Sequence, residues 1–209
     1  MHYVDVSTPP RSKPSPPAAT NVDGNARITA SLGVLIFVLL FVEGVTILRV
    51  QSLISWHVFV GVLLIPFVLL KLASTGYRFA RYYSGQADYV RKGPPNVVLR
   101  VLGPLVVVTT IAVFATGIGA VLESGDFHWL VFAHKASFIL WFGAMTLHVL
   151  GHALETPALA IADWRRSTRA ESRGAPVRLV MLGAATAIAI PLAVAALGWA
   201  HHWQRLHGN

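Results

Sequence analysis

The chain has 209 residues, of which 55% are hydrophobic and only 12% are charged, about half the charged fraction of an ordinary soluble domain. It contains no cysteine, which excludes disulfides, cysteine-bound iron–sulfur clusters and covalently attached c-type haem. A formal charge of +8 would favour nucleic-acid binding in a soluble protein. Here the basic residues flank long apolar runs, so we attribute them to membrane orientation and expect no nucleic-acid partner.

Five apolar runs are each long enough to cross a bilayer. A spanning helix needs ~20 mostly apolar residues, because each residue rises about 1.5 Å and the hydrocarbon core is ~30 Å thick. The sequence therefore predicts an all-α integral membrane bundle of about five transmembrane helices in contact with membrane lipid. The runs are Ile28 to Leu48, Leu53 to Ala73, Val101 to Leu122, Trp129 to Leu154, and Val177 to Trp199.

The apolar runs divide the chain into three parts. Residues 1–27 form a polar segment with five prolines, a composition that cannot bury a core and predicts a disordered tail. Residues 28–200 form the predicted transmembrane domain, and residues 201–209 a short tail on the opposite side.

Basic residues predict the orientation of the spans. Fourteen of the 17 lysines and arginines lie in three places: the N-terminal tail, the segment between the second and third runs together with its margins, and the segment before the fifth run together with the start of that run. Cytoplasmic loops are enriched in these residues. We therefore expect a multi-pass plasma-membrane protein with a cytoplasmic N-terminus and an extracytoplasmic C-terminus.

Ionisable residues inside the runs are candidates for function, because they are costly in hydrocarbon. His57 lies about four residues inside the second run, and His134 about five residues inside the fourth. Both runs are predicted to enter from the outer side, so both imidazoles lie some 6–8 Å below the outer edge. Two imidazoles at one depth on different helices suit axial ligation of the iron of a haem b.

The fourth run carries further candidates for cofactor binding. His148 follows His134 by 14 residues, which places both on one helix face about 21 Å apart. That spacing suits one redox centre in each half of the membrane, with His57, His134 and His148 as iron ligands. His152 lies one turn beyond His148, and Lys71 lies near the inner end of the second run.

Other roles for these residues stay open at this stage. A single buried histidine is usually a core or interhelical hydrogen-bonding residue, and His152 lies near the membrane interface, where a polar side chain is ordinary. Glu43, in the first run, has two candidate partners: a histidine of the outer pair, or Arg49.

Two stretches of the sequence resemble a known family. The first stretch is Trp56-His57-Val58-Phe59-Val60-Gly61, and the second is His134-Lys135-Ala136-Ser137-Phe138 followed by His148-Val149-Leu150-Gly151-His152. Both look like the small membrane-bound b-type cytochromes in their actinobacterial form. That family is grouped with cytochrome b561 and with the cytochrome b subunits of bacterial hydrogenases and formate dehydrogenases. Lys71-Leu72-Ala73-Ser74-Thr75-Gly76-Tyr77-Arg78 belongs to the same pattern. The resemblance covers roughly residues 28–155. It implies haem b, a four-helix haem-binding core, and electron exchange with quinones or a partner oxidoreductase.

One departure from that family concerns the inner half of the membrane. Relatives with two haems carry a second ligand about one leaflet further along the helix that partners the fourth span, and Lys71 stands there. An inner haem would need His148 and another ligand, for which Met181 is a weak candidate. Alternatively, Lys71 meets a propionate, or it forms a quinone site with His148 and His152.

The sequence thus favours a membrane haem b protein that passes electrons between a partner oxidoreductase and a quinone or second partner. We expect an electron-transfer subunit of an oxidoreductase system and not a self-standing enzyme. Around the outer haem, Trp56, Phe59 and Phe138 are expected to pack the ring, and Lys135 and Arg49 to pair with propionates. Two rival hypotheses remain: a metal transporter that uses transmembrane His and Glu, and a structural membrane anchor subunit.

The charge distribution gives a first testable prediction. Reporter fusions after residues 85, 125, 165 and 209 should report cytoplasm, outside, cytoplasm and outside, because the basic segments are retained on the cytoplasmic side. Alkaline phosphatase and fluorescent-protein fusions measure the two locations. Any other order would contradict the assigned spans and the common depth of His57 and His134.

Overall fold

A computed structural model of the protein describes residues 21–93, 97–123, 128–152, 160–161 and 174–207. These residues are almost entirely helical and contain no strand. Five of the helices are long and apolar enough to cross a membrane, so the predicted helical membrane bundle is confirmed. In chain order the helices are α1 (Asn21–Ile47), α2 (Val50–Tyr83), α3 (Ala87–Lys92), α4 (Val97–Leu122), α5 (His128–His152) and α6 (Ala175–His207).

The helices run past the predicted domain boundaries. Helix α1 begins at Asn21, inside the segment predicted as a tail, and α6 continues to His207, inside the predicted C-terminal tail. A helix satisfies its own backbone hydrogen bonds, so it can continue beyond the hydrocarbon, and Asp23 in the first turn of α1 complements the helix dipole. Residues 1–20, over which the tail was also predicted, lie outside the described residues.

A tight turn joins α1 to α2. The N–H of Arg49 donates to the carbonyl of Thr46 (3.3 Å), and the N–H of Leu53 to the carbonyl of Arg49 (2.9 Å). The backbone leaves helical geometry at Leu53 (φ −112°, ψ 18°). Regular helix therefore starts where the second apolar run was predicted to start, and the turn sets α1 antiparallel to α2.

Helices α1, α2 and α6 pack together through small and branched side chains. Every third or fourth residue of one α6 face is a buried alanine, and such residues let helix backbones approach closely in lipid. Leu32 of α1 and Leu64 of α2 are the largest fully buried side chains of the described residues. Leu32 and Leu64 lie in one core cluster with Ala185 and Ala189 of α6. The buried alanines of that α6 face are Ala185, Ala189, Ala193, Ala196 and Ala200.

Helices α4 and α5 form a second closely packed pair. A Cβ at Gly151 would lie 2.7 Å from Cδ2 of Leu99, and one at Gly119 would lie 3.2 Å from Cδ2 of Leu130. The indole N–H of Trp141 donates to the Thr110 hydroxyl (2.9 Å). Glycines at the contact and interhelical hydrogen bonds such as this one hold the pair, which makes only limited contact with α6.

A polar network links α1 and α2 toward the end of the bundle that carries α3, called here the α3 end. The Ser74 hydroxyl bonds to the Asn25 side-chain oxygen and lies 2.6 Å from the Thr29 hydroxyl. Lys71 Nζ donates to the carbonyl of Thr29 (3.0 Å). Polar groups in an apolar environment must find partners within the protein, so this network fixes the register of α1 on α2.

Removing the Ser74 hydroxyl should destabilise the α1–α2 contact. Ser74→Ala removes two interhelical hydrogen bonds and should lower the free energy of unfolding by about 1 kcal/mol, at roughly 0.6 kcal/mol per bond. Ser84→Ala is the matched control, because its exposed hydroxyl donates to the carbonyl of Arg81 (3.1 Å), three residues earlier in the chain. Equal stabilities of the two variants in detergent unfolding curves would contradict the structural role of the network.

Candidate functional site

A large cavity runs through the helical bundle. Its volume is about 2080 Å³, about twice the upper end of the usual small-molecule range of ~300–1,000 Å³. Its walls are mostly apolar and come from α1 to α6. Within the candidate membrane-spanning helices, the acidic and basic side chains that line it are Glu43, His57, Lys71, Arg78, Arg100, His134, Lys135, His148 and His152.

His57 of α2 and His134 of α5 meet at the wall of this cavity. Their ring centroids are 6.1 Å apart, and the ring planes are 80° to each other. The adjacency expected from their common depth is therefore present. Since α2 and α5 have little backbone contact, the two imidazoles bridge the gap between the α1–α2–α6 group and the α4–α5 pair.

The Nδ1 atom of His57 faces two oxygen atoms of α1. Glu43 Oε1 lies 3.0 Å away, and the Thr46 hydroxyl oxygen 3.1 Å away. The hydroxyl of Thr46 also donates to the carbonyl of Glu43 (2.6 Å), so its oxygen is left to accept. Nδ1 of His57 is thus the proton-bearing nitrogen, and Nε2 keeps its lone pair.

The Nδ1 atom of His134 is held in a similar way from α4. The carbonyl oxygen of Val113 lies 3.0 Å away, and the Thr116 hydroxyl 3.4 Å away. A carbonyl oxygen can only accept, so Nδ1 of His134 carries the ring proton. No described residue hydrogen-bonds to Nε2 of either ring.

Gly117 of α4 makes room for the His134 ring. A Cβ at this position would lie 2.9 Å from Cε1 and 3.1 Å from Nδ1 of His134. These distances are shorter than van der Waals contact, so any side chain at position 117 would push the imidazole out of place. Sequence reasoning missed this glycine, because its role depends on a contact between two helices.

The surroundings of the histidine pair differ in part from expectation. Phe138 and Lys135 line the cavity as expected. Trp56 is 61% exposed and packs edge-on against Phe59; neither aromatic lines the cavity, and neither does Arg49. The α2 face that presents His57 turns Trp56 outward, and Phe59 packs against the core cluster of α1, α2 and α6. Trp199 and Trp203 of α6 line the cavity instead.

The structure decides between the two candidate partners of Glu43, a histidine of the outer pair and Arg49. Glu43 bonds to His57, and its side chain is only 14% exposed. Thr46, which sequence reasoning missed, could have been found from its position one turn after Glu43 on the same helix face. Val113 could not have been found, since only its backbone takes part.

At the α3 end of the cavity, His148 and His152 lie together on α5. Their ring centroids are 5.0 Å apart, and Nδ1 of His148 is buried without a hydrogen-bond partner among the described residues. Lys71 lines the same cavity but donates to α1. Met181 is 42% exposed and does not line the cavity. It therefore does not share the cavity with His148.

The separation of the His57 and His134 rings can be compared with that of two imidazoles bound to one metal ion. Two imidazoles on opposite sides of one metal ion have centroids about 6.3 Å apart, given metal–nitrogen bonds of about 2.0–2.1 Å and a ring radius of about 1.1 Å. The observed 6.1 Å is close to this value. Histidines that bind metal usually donate their other ring N–H to a carboxylate or a backbone carbonyl, as His57 and His134 do.

Within the described ranges, no three His, Cys, Asp or Glu side chains gather to hold a metal ion. A haem iron takes four ligands from the porphyrin, so two histidines complete its coordination. In comparisons with known proteins, no family model, no curated protein and no solved structure matches this chain.

Proposed function

We propose that this protein is a membrane-embedded haem b electron-transfer protein with His57 and His134 as the axial ligands. The observation that carries the proposal is the pair of imidazoles 6.1 Å apart on a cavity wall, each with Nδ1 committed to an oxygen acceptor. That arrangement leaves two Nε2 lone pairs for one iron. The sequence resemblance to b-type cytochromes supports the same assignment.

The surrounding residues suit electron transfer better than substrate chemistry. A haem bound by two imidazoles supplies a one-electron ferrous–ferric couple and has no iron position left for a substrate. Val113, Glu43 and their neighbouring hydroxyls hold the two rings in orientation, and the walls of the cavity are mostly apolar. Lys135 is the cavity-lining cation nearest His134 in sequence, and we assign it to a propionate.

The orientation and partners are part of the same proposal. The charge distribution favours a plasma-membrane protein with its N-terminus in the cytoplasm, which places the His57–His134 pair in the outer half. The α3 end, with His148, His152 and Lys71, then lies near the cytoplasm. A partner oxidoreductase or a quinone exchanges electrons with the protein from one side or the other.

The α3 end is open to two interpretations. His148 has a buried ring nitrogen without a hydrogen-bond partner in the described part of the chain and suits either an axial role at a second haem or a hydrogen bond to a quinone oxygen. The number of haems per chain separates them: two haems favour the axial role, and one haem favours the quinone.

Two other functions would leave different observations. A metal transporter would bind divalent ions without visible absorbance, and a structural anchor subunit would bind neither metal nor haem. Reduced-minus-oxidised absorbance of the purified protein distinguishes both from a b-type cytochrome, which has a sharp band in the reduced state.

Replacing either proposed ligand should remove one haem. His57→Ala and His134→Ala each take away one axial nitrogen, so haem content measured by pyridine haemochrome should fall by one per chain while the helices still insert. His128→Ala and His202→Ala are controls on exposed residues and should keep the wild-type spectrum. Full haem content and an unaltered low-spin spectrum in His57→Ala would contradict the ligand pair.

Filling the space at Gly117 should disturb the same site without touching a ligand. Gly117→Ala places a methyl group against His134, so we expect lower haem content or a change from low-spin to high-spin absorbance. Gly143→Ala on α5 is the control, because nothing lies within 4 Å of its added Cβ. If both alanine variants bind haem as the wild type does, His134 does not need its present ring position.

A further inference from the structure

The two proposed ligands are held by chemically different acceptors. His134 donates to the neutral carbonyl of Val113, whereas His57 faces the carboxyl group of Glu43 at 3.0 Å. Hydrogen bonds to a carboxylate are stronger than those to a neutral acceptor. An ionised Glu43 would therefore draw on the N–H of His57 more strongly than the carbonyl of Val113 draws on the N–H of His134.

The Glu43 contact is built into the bundle and shielded from water. The side chains of His57 and Glu43 are 19% and 14% exposed, and Thr46 is 5% exposed. Gly61 lies one turn after His57, and a Cβ there would be 3.4 Å from Glu43 Oε1. The carboxyl group therefore lies close to the backbone of α2, beside the imidazole.

Thr46 completes this arrangement from the next turn of α1. Its hydroxyl donates to the carbonyl of Glu43 (2.6 Å) and lies 3.4 Å from Glu43 Oε2, while its oxygen faces Nδ1 of His57 at 3.1 Å. One N–H of His57 thus has two acceptors on one helix. Rotation of the ring would break both contacts.

We propose that Glu43 and Thr46 are positioning residues that fix the His57 ring and lower the reduction potential of the bound haem. The inference rests on the proposed function, because it requires His57 to be an axial ligand. A strong acceptor on Nδ1 makes the imidazole a better electron donor to iron. Greater donation favours the ferric state, and hydrogen bonding around the axial ligands is one of the means by which proteins set haem potentials.

The test compares Glu43→Gln and Thr46→Val with the wild type. Glu43→Gln keeps the length of the side chain and an oxygen acceptor but removes the ionisable carboxyl group, and Thr46→Val keeps the shape but removes the hydroxyl. Controls are Glu123→Gln, an exposed residue after α4, and Thr186→Val, an exposed residue of α6 that bonds within its own helix (2.9 Å). Haem content, potentiometric titration and the electron paramagnetic resonance signature of the oxidised haem are measured for each.

We expect Glu43→Gln to retain a low-spin haem with a higher midpoint potential and an altered resonance signature, and Thr46→Val to shift both in the same direction by less. The two controls should match the wild type. If Glu43→Gln binds no haem, Thr46→Val decides: a raised potential supports the positioning role, and an unchanged one overturns it.

Failure of this inference differs from failure of the proposed function. A wild-type protein with a low-spin haem, whose potential and resonance signature do not change in Glu43→Gln, overturns the positioning role and leaves the haem assignment intact. A wild-type protein that binds no haem overturns both. A His57→Ala variant with full haem content also removes the ligand on which Glu43 and Thr46 would act.

Discussion

The main physical constraint on this protein is that polar groups in hydrocarbon must find their partners within the protein. Backbone groups meet this constraint as helices, which is why the apolar runs are helical. Side chains meet it by contacts between helices. Lys71 donates to the carbonyl of Thr29, His57 to Glu43, and His134 to the carbonyl of Val113. Each of these contacts ties one helix to another at a fixed depth.

The same constraint separates the two ring nitrogens of the central histidines. Because acceptors on α1 and α4 occupy the Nδ1 atoms, the Nε2 atoms of His57 and His134 are left without hydrogen-bond partners among the described residues, as the proposed iron ligation requires. The hydrogen bonds that make buried imidazoles tolerable in lipid also select the tautomer that a metal requires. Structural and functional demands on these residues therefore point to one geometry.

Packing explains why the cavity lies where it does. Small residues bring α6 onto α2 and bring α4 onto α5, but no comparable run of contacts joins α2 to α4 or α5 in the described residues. Between the two groups the side chains are apolar, with ionisable groups concentrated at the His57–His134 level and at the α3 end. A flat hydrophobic cofactor with polar edges suits such a space, and so do two small ligands at separate depths.

The sequence by itself determined the five membrane-crossing helices, because the length and apolarity of a run are local properties matched to bilayer thickness. It also indicated that His57 and His134 share a depth, since depth follows from counting residues along a helix. Residue counting could not show which way each helix turns. Only the tertiary structure decided that Trp56 faces outward, that Glu43 bonds to His57, and that Val113 and Gly117 support His134. Rotation of one helix against another depends on the small residues and hydrogen bonds between them, and these contacts join residues far apart in the sequence.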